Sequence, residues 1–316
     1  MGDLPEYGEI RAMAKPEKEL FLDALTKRFG LPRKLESSQS LFEIADGRAR
    51  VYVRYSKKHQ RNRTFYGLRQ TDLRQLEGYP SVLCFLWDGQ KEPLLIPFSE
   101  FEEVFNAVRP ATDGQFKAQV YEEAQGTELY IATAGRFNVE SYFGWQPLDD
   151  LIHDSGLTLP DLTHSQVQTL LGAIGMRKGF DVWVPQNDRA RMDWSIATPF
   201  AFAESLPISL NPIRDIVEEI DVVWVERGAA TARAFFEVEH STPIYSGLLR
   251  FNDVNILAPM SDMKFGIVCA EERRGVFVRQ LSRPTFRASG LSDRCLFFEY
   301  RNVFGWHQRL YARGKE

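Results

Sequence analysis

Apolar residues recur along this chain with two periods, every second position in some stretches and every third or fourth in others, and their alternation predicts a mixed α/β protein in two parts. Residues 16–29 carry Leu20, Phe21, Ala24 and Leu25 at helical spacing, with Pro16 near the start and Gly30 just past the end. Residues 41–45 and 50–55 flank Asp46-Gly47, the signature of a β-hairpin. A short helix is expected over 70–78, a buried strand over 81–87 closed by Asp88-Gly89, and a neighbouring strand over 93–97. Residues 98–108 predict a helix begun by Ser99 with Glu102 as its capping-box partner. Strands follow over 116–121 and 128–132. The stretch from Pro147 to Asp161 has the composition of a connection, which sets a boundary between a mixed α/β domain, 1–147, and a second domain, 160–316.

The second part starts with a helix to Lys178, in which Val167, Leu170, Leu171 and Ile174 recur at helical spacing and Gly179 ends it. A strand over 180–185 comes next, then a polar, irregular stretch over 191–211 and a short amphipathic helix over 212–219. Strands over 220–225 and 234–240 form a second hairpin. A helix over 243–256 with Ile244, Leu248 and Phe251 inward, a strand over 265–270, a helix from Val276 and a strand over 295–300 complete the chain.

Composition adds bounds to this outline. The chain has 316 residues, 44% of them hydrophobic and 26% charged, which suits a protein with a substantial core. A net charge of -4 makes any nucleic-acid surface a local feature. Between Arg48 and Arg74 there are nine Lys or Arg against one acid, Asp72, with His59, Tyr52, Tyr55, Phe65 and Tyr66 among them. Such a stretch is the footprint of a phosphate-contacting surface, or alternatively a strand edge protected by charge. Arg48, Arg50, Arg54, Lys57, Lys58, Arg61, Arg63 and Arg69 are the candidate phosphate contacts. Cys84, Cys269 and Cys295 lie far apart, which points to a reducing compartment and neither a disulfide framework nor a zinc site. The first residues show no secretory signal and no window reaches the roughly 18 apolar residues of a membrane span, so a cytoplasmic location is expected.

The candidate chemistry lies in the second hairpin. Side chains alternate across a strand, so Glu237 and Glu239 share one face with Phe235, while Phe236 and Val238 share the other. Antiparallel pairing brings Asp221 to the same place. Carboxylates among apolar strands are costly unless neutralised, and a hard divalent cation with oxygen ligands is a direct solution. On simpler readings Asp221 caps a strand end, and the two glutamates sit on an edge strand facing water. His240-Ser241-Thr242-Pro243 suits a helix start, with Ser241 or Thr242 as N-cap. Asn187-Asp188-Arg189 reads as a turn, although Arg189 could grip phosphate. Of the other histidines, His59, His153, His164 and His307, none has metal-ligand spacing. No phosphate-binding glycine loop, dinucleotide fingerprint or nucleophile elbow occurs.

An Asp on one strand, then Glu-x-Glu on the next with fifteen residues between Asp221 and Glu237, framed by a helix before and a helix plus strand after, resembles the PD-(D/E)XK nuclease superfamily. That superfamily includes many type II restriction endonucleases. Asp221 stands for the first acid, Glu237 for the second, Val238 for the free position, and Glu239 where Lys is usual. The resemblance covers roughly residues 160–300 and rests on the order of elements more than on three letters. It implies a restriction-endonuclease-like core, a mixed central sheet flanked by helices, behind an N-terminal mixed α/β DNA-binding domain. Asp221, Glu237 and the Val238 carbonyl would hold one or two Mg2+ ions, and Glu239 would act as general base or bind a second ion. Arg250 and Lys264 are candidates for the missing cation, His240, Arg189 and Arg250 for accessory contacts. The superfamily often draws another acid from the first helix, which here offers Gln166 and Gln168. Asp181, Asp188 or Glu218 would have to substitute.

The resemblance therefore implies a divalent-metal-dependent endonuclease of double-stranded DNA, restriction type, acting as a homodimer because both strands must be cut. The alternative is a non-catalytic DNA-binding protein with a degenerate nuclease fold.

Overall fold

The computed structural model describes residues 16–35, 38–59, 62–155, 159–228, 231–240, 242–259 and 263–312. The first part runs α1 (Pro16–Phe29), β1 (Arg33–Lys34), β2 (Leu41–Ile44), β3 (Ala49–Ser56), β4 (Arg63–Arg69), α2 (Gln70–Arg74), β5 (Ser81–Trp87), β6 (Leu94–Pro97), α3 (Glu102–Ala107), β7 (Gln115–Glu123), β8 (Gly126–Ile131), β9 (Gly135–Asn138) and α4 (Gln146–Ser155). One mixed sheet has the order β1-β2-β3-β5-β6, with β3 and β5 parallel. The other, β4-β7-β8-β9, is antiparallel throughout. The hairpin at Asp46-Gly47 forms as expected, with Gly47 at a φ of +84°. All seven residues of β5 are buried, as an apolar run in a central strand requires.

Two expectations for this part are corrected. The residues around Glu102 form a short 3-10 turn and then α3, with no side-chain cap, because the Glu102 carboxylate is taken by Lys178 instead. The stretch after Pro147 is helical up to Ser155. Leu148 and Ile152 of α4 are buried against the first sheet, so the chain stays with that core where a connection was expected.

The second part runs α5 (His164–Arg177), β10 (Phe180–Trp183), α6 (Gln186–Arg189), α7 (Arg214–Val217), β11 (Val222–Glu226), β12 (Ala232–Val238), α8 (Ile244–Leu257), β13 (Lys264–Cys269), α9 (Arg274–Leu281), α10 (Pro284–Ala288), β14 (Cys295–Glu299) and α11 (Tyr300–Ala312). Its five strands lie in sequence order; β10, β11 and β12 pair antiparallel, and β13 and β14 add in parallel through helical crossovers. One face of β12 sends Phe236 and Val238 toward α5 and α11, where Val167, Leu170, Ile174 and Trp306 meet them. The other sends Phe235 toward Leu248 and Phe251 of α8. Full burial of such side chains contributes about 2 kcal/mol each. Gly175 lets α5 close on the sheet, since a Cβ there would lie 2.5 Å from Trp224 Nε1, whose N–H donates to the Leu171 carbonyl at 3.0 Å.

The two parts meet across a buried ionic group. Lys264 Nζ is 2.8 Å from Glu77, Lys178 is 3.5 Å from Glu77, and Lys178 also pairs with Glu102. Tyr79 inserts its ring beside Phe298, 5.5 Å away, and its hydroxyl donates to the Phe297 carbonyl. Among the described residues no helix is long and apolar enough to cross a membrane.

Candidate active site

Because β11 and β12 are antiparallel, the residue before β11 and the residue after β12 share one edge of the sheet. Val222 pairs with Phe236, which puts Asp221 opposite Glu237, with Glu239 next along the edge. Glu237 and Glu239 are each only 2% exposed. The solvent-facing reading of the two glutamates therefore fails, because α8 covers their face of the sheet. Asp221 is more than a strand end: its Oδ2 accepts the Val238 amide at 2.7 Å and so ties the two strands together beyond the last ladder bond.

The helix after β12 is shaped around the glutamates. A Cβ at Gly247 would lie 2.7 Å from Glu239 Oε1 and 3.2 Å from Glu237 Cγ, so only glycine lets α8 lie over both. From the next turn of α8, Arg250 Nε donates to Glu237 Oε1 at 2.6 Å. Of the two candidate cations, Arg250 is the one that meets a glutamate of this edge. Lys264 does not, since its ammonium is committed to Glu77 at the junction of the two parts. The Thr242 hydroxyl donates to Glu239 Oε2, while Glu239 Oε1 is buried without a hydrogen-bond partner. That contact replaces the expected N-cap role of Thr242: α8 starts at Ile244 with Pro243 at the cap and no side-chain cap bond. Ser241 lies outside the described residues. Burial pushes the Glu237 carboxyl well above the usual carboxylate range, with the Arg250 hydrogen bond offsetting part of it and Asp221 adding repulsion. Glu239 is raised for the same first reason, against the hydrogen bond from Thr242.

Two residues not singled out by sequence join this edge. His164, the first residue of α5, brings Nε2 within 3.4 Å of Asp221 Oδ1. The Asp221 contact raises the imidazole pKa, and a backbone bond to Val238 adds to it, which only the carbonyl can do. Arg273 donates to the carbonyls of Glu239 and Thr242 and so clamps the turn that carries Glu239. Nothing in local sequence marks either residue, because their partners are 57 and 34 positions away. The one signal is positional: the resemblance places a side chain contributing to the site on the first helix of this part, and α5 begins with His164 ahead of Gln166 and Gln168. Gln168 does reach it, donating to the Asp221 carbonyl at 2.9 Å and toward Asp188 at 3.4 Å. Of the substitute acids, only Asp188 is brought near. Asp181 lies at the far end of β10 with Arg227, and Glu218 pairs with Arg214.

Other candidates have structural duties. Arg189 donates to the carbonyls of Val184 and Ala203 and stacks over Trp183 and Phe202, so it staples the irregular stretch. His240 is exposed, stacks on Tyr300 and shares a 2.9 Å hydrogen bond with its hydroxyl. Among the basic candidates, Arg50 is corrected: it is buried, pairs with Glu43 at 2.8 Å and lies over Tyr79, which withholds it from any phosphate. Lys58 pairs with Glu122 at 2.6 Å, and Arg63 lies over Phe65. Arg54 is partly buried over Tyr52, whereas Arg48, Lys57 and Arg69 are exposed. Arg61 lies outside the described residues.

Among the described residues, no three His, Cys, Asp or Glu side chains are grouped to hold a metal ion by themselves. A cation at this edge therefore needs a main-chain oxygen, and the Val238 carbonyl beside Asp221 and His164 is suitably placed. A buried, unpartnered carboxylate oxygen on Glu239 and a set of oxygen donors fit a hard divalent ion.

Residues 159–309, which contain every element of this edge, match a family model described as the type II restriction enzyme NmeDI C-terminal domain. The chain is 30% identical over 160 residues to the type II restriction enzyme NmeDI of Neisseria meningitidis serogroup C, a match that takes in 45% of this chain and 45% of that relative. The chain thus matches less than half the length of this curated relative. No solved structure matches the chain.

Proposed function

We propose that the chain is a divalent-metal-dependent endonuclease of restriction type that hydrolyses double-stranded DNA. The observation that carries this reading is the convergence of Asp221, Glu237 and Glu239 at one covered sheet edge, inside the segment similar to a type II restriction enzyme. The order of strands and helices around that edge supports the resemblance to the PD-(D/E)XK superfamily, with Glu239 in the place of its lysine.

Asp221, the Val238 carbonyl and Glu237, whose Oε1 accepts from Arg250 at 2.6 Å, would hold Mg2+. When bound, the ion would supply positive charge to a phosphate and acidify water. Glu239 takes the proton of the attacking water through its unpartnered Oε1. Arg250, seated on α8 beside Glu237, would meet the negative charge that develops on the phosphate, the task of the motif lysine. Arg273 keeps the Glu239 turn in place. The 1–147 segment grips the duplex through Arg48, Arg54, Lys57, Lys58, Arg63 and Arg69, and two copies of the chain act together to cut both strands. Incubation with plasmid and magnesium tests the assignment. Glu237→Ala is expected to abolish cleavage, and a variant that cleaves as well as wild type would sink it. Wild type that binds duplex DNA without cleaving it identifies a silent site instead.

A further inference from the structure

His164 faces Asp221 Oδ1 at 3.4 Å from the start of α5, and the Val238 carbonyl faces the same ring. Asp221 itself cannot turn away, because its other oxygen holds the Val238 amide at 2.7 Å. An imidazole nitrogen and a carboxylate oxygen from two separate elements are thus neighbours, and the Val238 carbonyl, which accepts the His240 amide at 3.2 Å, lies beside the same ring. Neighbouring donors on a divalent ion with bonds of about 2.1 Å are roughly 3 Å apart. The ring has to move only a few tenths of an ångström to meet that spacing.

The ring is also fixed in position. Thr163 and Gln166 close a capping box at the start of α5, with hydrogen bonds of 3.0 and 3.2 Å, so the first residue of the helix has a defined direction. One turn later Gln168, 1% exposed, anchors the Asp221 main chain while its own Oε1 is buried without a partner. That orphan oxygen and Glu239 Oε1 are two acceptors at one sheet edge, suited to the hydrogens of water around a cation.

We propose that His164 is a ligand of the divalent ion, together with Asp221 and the Val238 carbonyl. This rests on the metal-dependent nuclease reading and deepens it. A nitrogen ligand changes the choice of ion, since imidazole suits transition metals better than it suits magnesium or calcium. The site should therefore hold Mn2+ more tightly than Mg2+, and His164 should be the reason.

The test is calorimetric titration of the full chain with MnCl2 and, separately, MgCl2, without DNA, for wild type, His164→Ala and Asp221→Ala. Thermal unfolding in EDTA serves as the folding control. His164→Ala is expected to weaken Mn2+ binding about tenfold or more and Mg2+ binding by less, with unfolding in EDTA little changed. Asp221→Ala should lose both ions. Equal Mn2+ affinity in wild type and His164→Ala overturns the assignment of His164 and leaves the nuclease reading standing. A wild type that binds neither ion overturns both.

Discussion

Glu237 sets the cost of a buried carboxyl to the fold against the role proposed for it at the metal. Its folded-state pKa is raised well above 4.5 because burial disfavours the charge. A raised carboxyl pKa means that the folded chain binds the proton more tightly than the unfolded chain. The associated stability is therefore complete below pH 4.5 and is lost as pH rises through the folded value. In metal-free protein, Glu237→Gln should remove that loss. The variant is expected to be at least as stable as wild type at pH 8 and to show a flatter dependence between pH 5 and 8. Urea denaturation across that range in EDTA checks this, and a variant with the wild-type slope would contradict it. On the proposed function the same variant should not cleave DNA, which separates the role proposed for the charge from its burden on the fold.

At the scale of elements, the close approach of α8 to β12 depends on one position. Gly247→Ala places a methyl group 2.7 Å from Glu239 Oε1 and 3.1 Å from Ile267 Cδ1, so α8 or the glutamates must shift. Overpacking of this kind typically destabilises by roughly 1–3 kcal/mol. The shift falls on the site, so cleavage should drop by more than the lost stability explains. Initial rates at a temperature where circular dichroism reports fully folded variant check this. The helices and strands around α8 were legible in sequence because each has a clean period: Val167, Leu170 and Ile174 on α5, Phe236 and Val238 on β12. Asp221 and the two glutamates were legible for the same reason, since alternation fixes a face. His164 and Arg273 were not, because their contacts depend on which helix end meets which strand end. The Thr242 cap failed through competition, a nearby buried carboxylate being a better partner for its hydroxyl than the backbone of α8. The helix α4 was hidden by its acidic, proline-bearing start, which resembles a connection until Leu148 and Ile152 are seen to pack.

At the scale of the whole molecule, the basic stretch around β3 and β4 and the acidic edge of the last sheet belong to different parts of the chain, so their relative placement depends on the junction between them. That junction was invisible in sequence, because Glu77, Glu102, Lys178 and Lys264 are far apart, and the local pattern gave Glu102 to a helix cap and Lys264 to the carboxylate edge. In the structure they are covered, with aromatic rings of Trp224, Trp306 and Phe298 around the two ammonium groups. Despite the penalty of burial, Lys178 and Lys264 lower the Glu77 pKa to about 2 from the usual 4.5. A carboxyl held that far down corresponds to roughly 3 kcal/mol of stability. That stability is present above pH 4.5 and is lost as pH falls toward 2. Glu77→Gln leaves the Lys264 ammonium without its carboxylate, and breaking one side of a buried pair costs about 3–5 kcal/mol. The variant should therefore be weaker than wild type by that amount at pH 7, and the gap should close as both are taken toward pH 2. Guanidinium denaturation at several pH values measures the gap directly. A difference that stays constant with pH would mean that Glu77 acts through its shape in the junction and not through its charge.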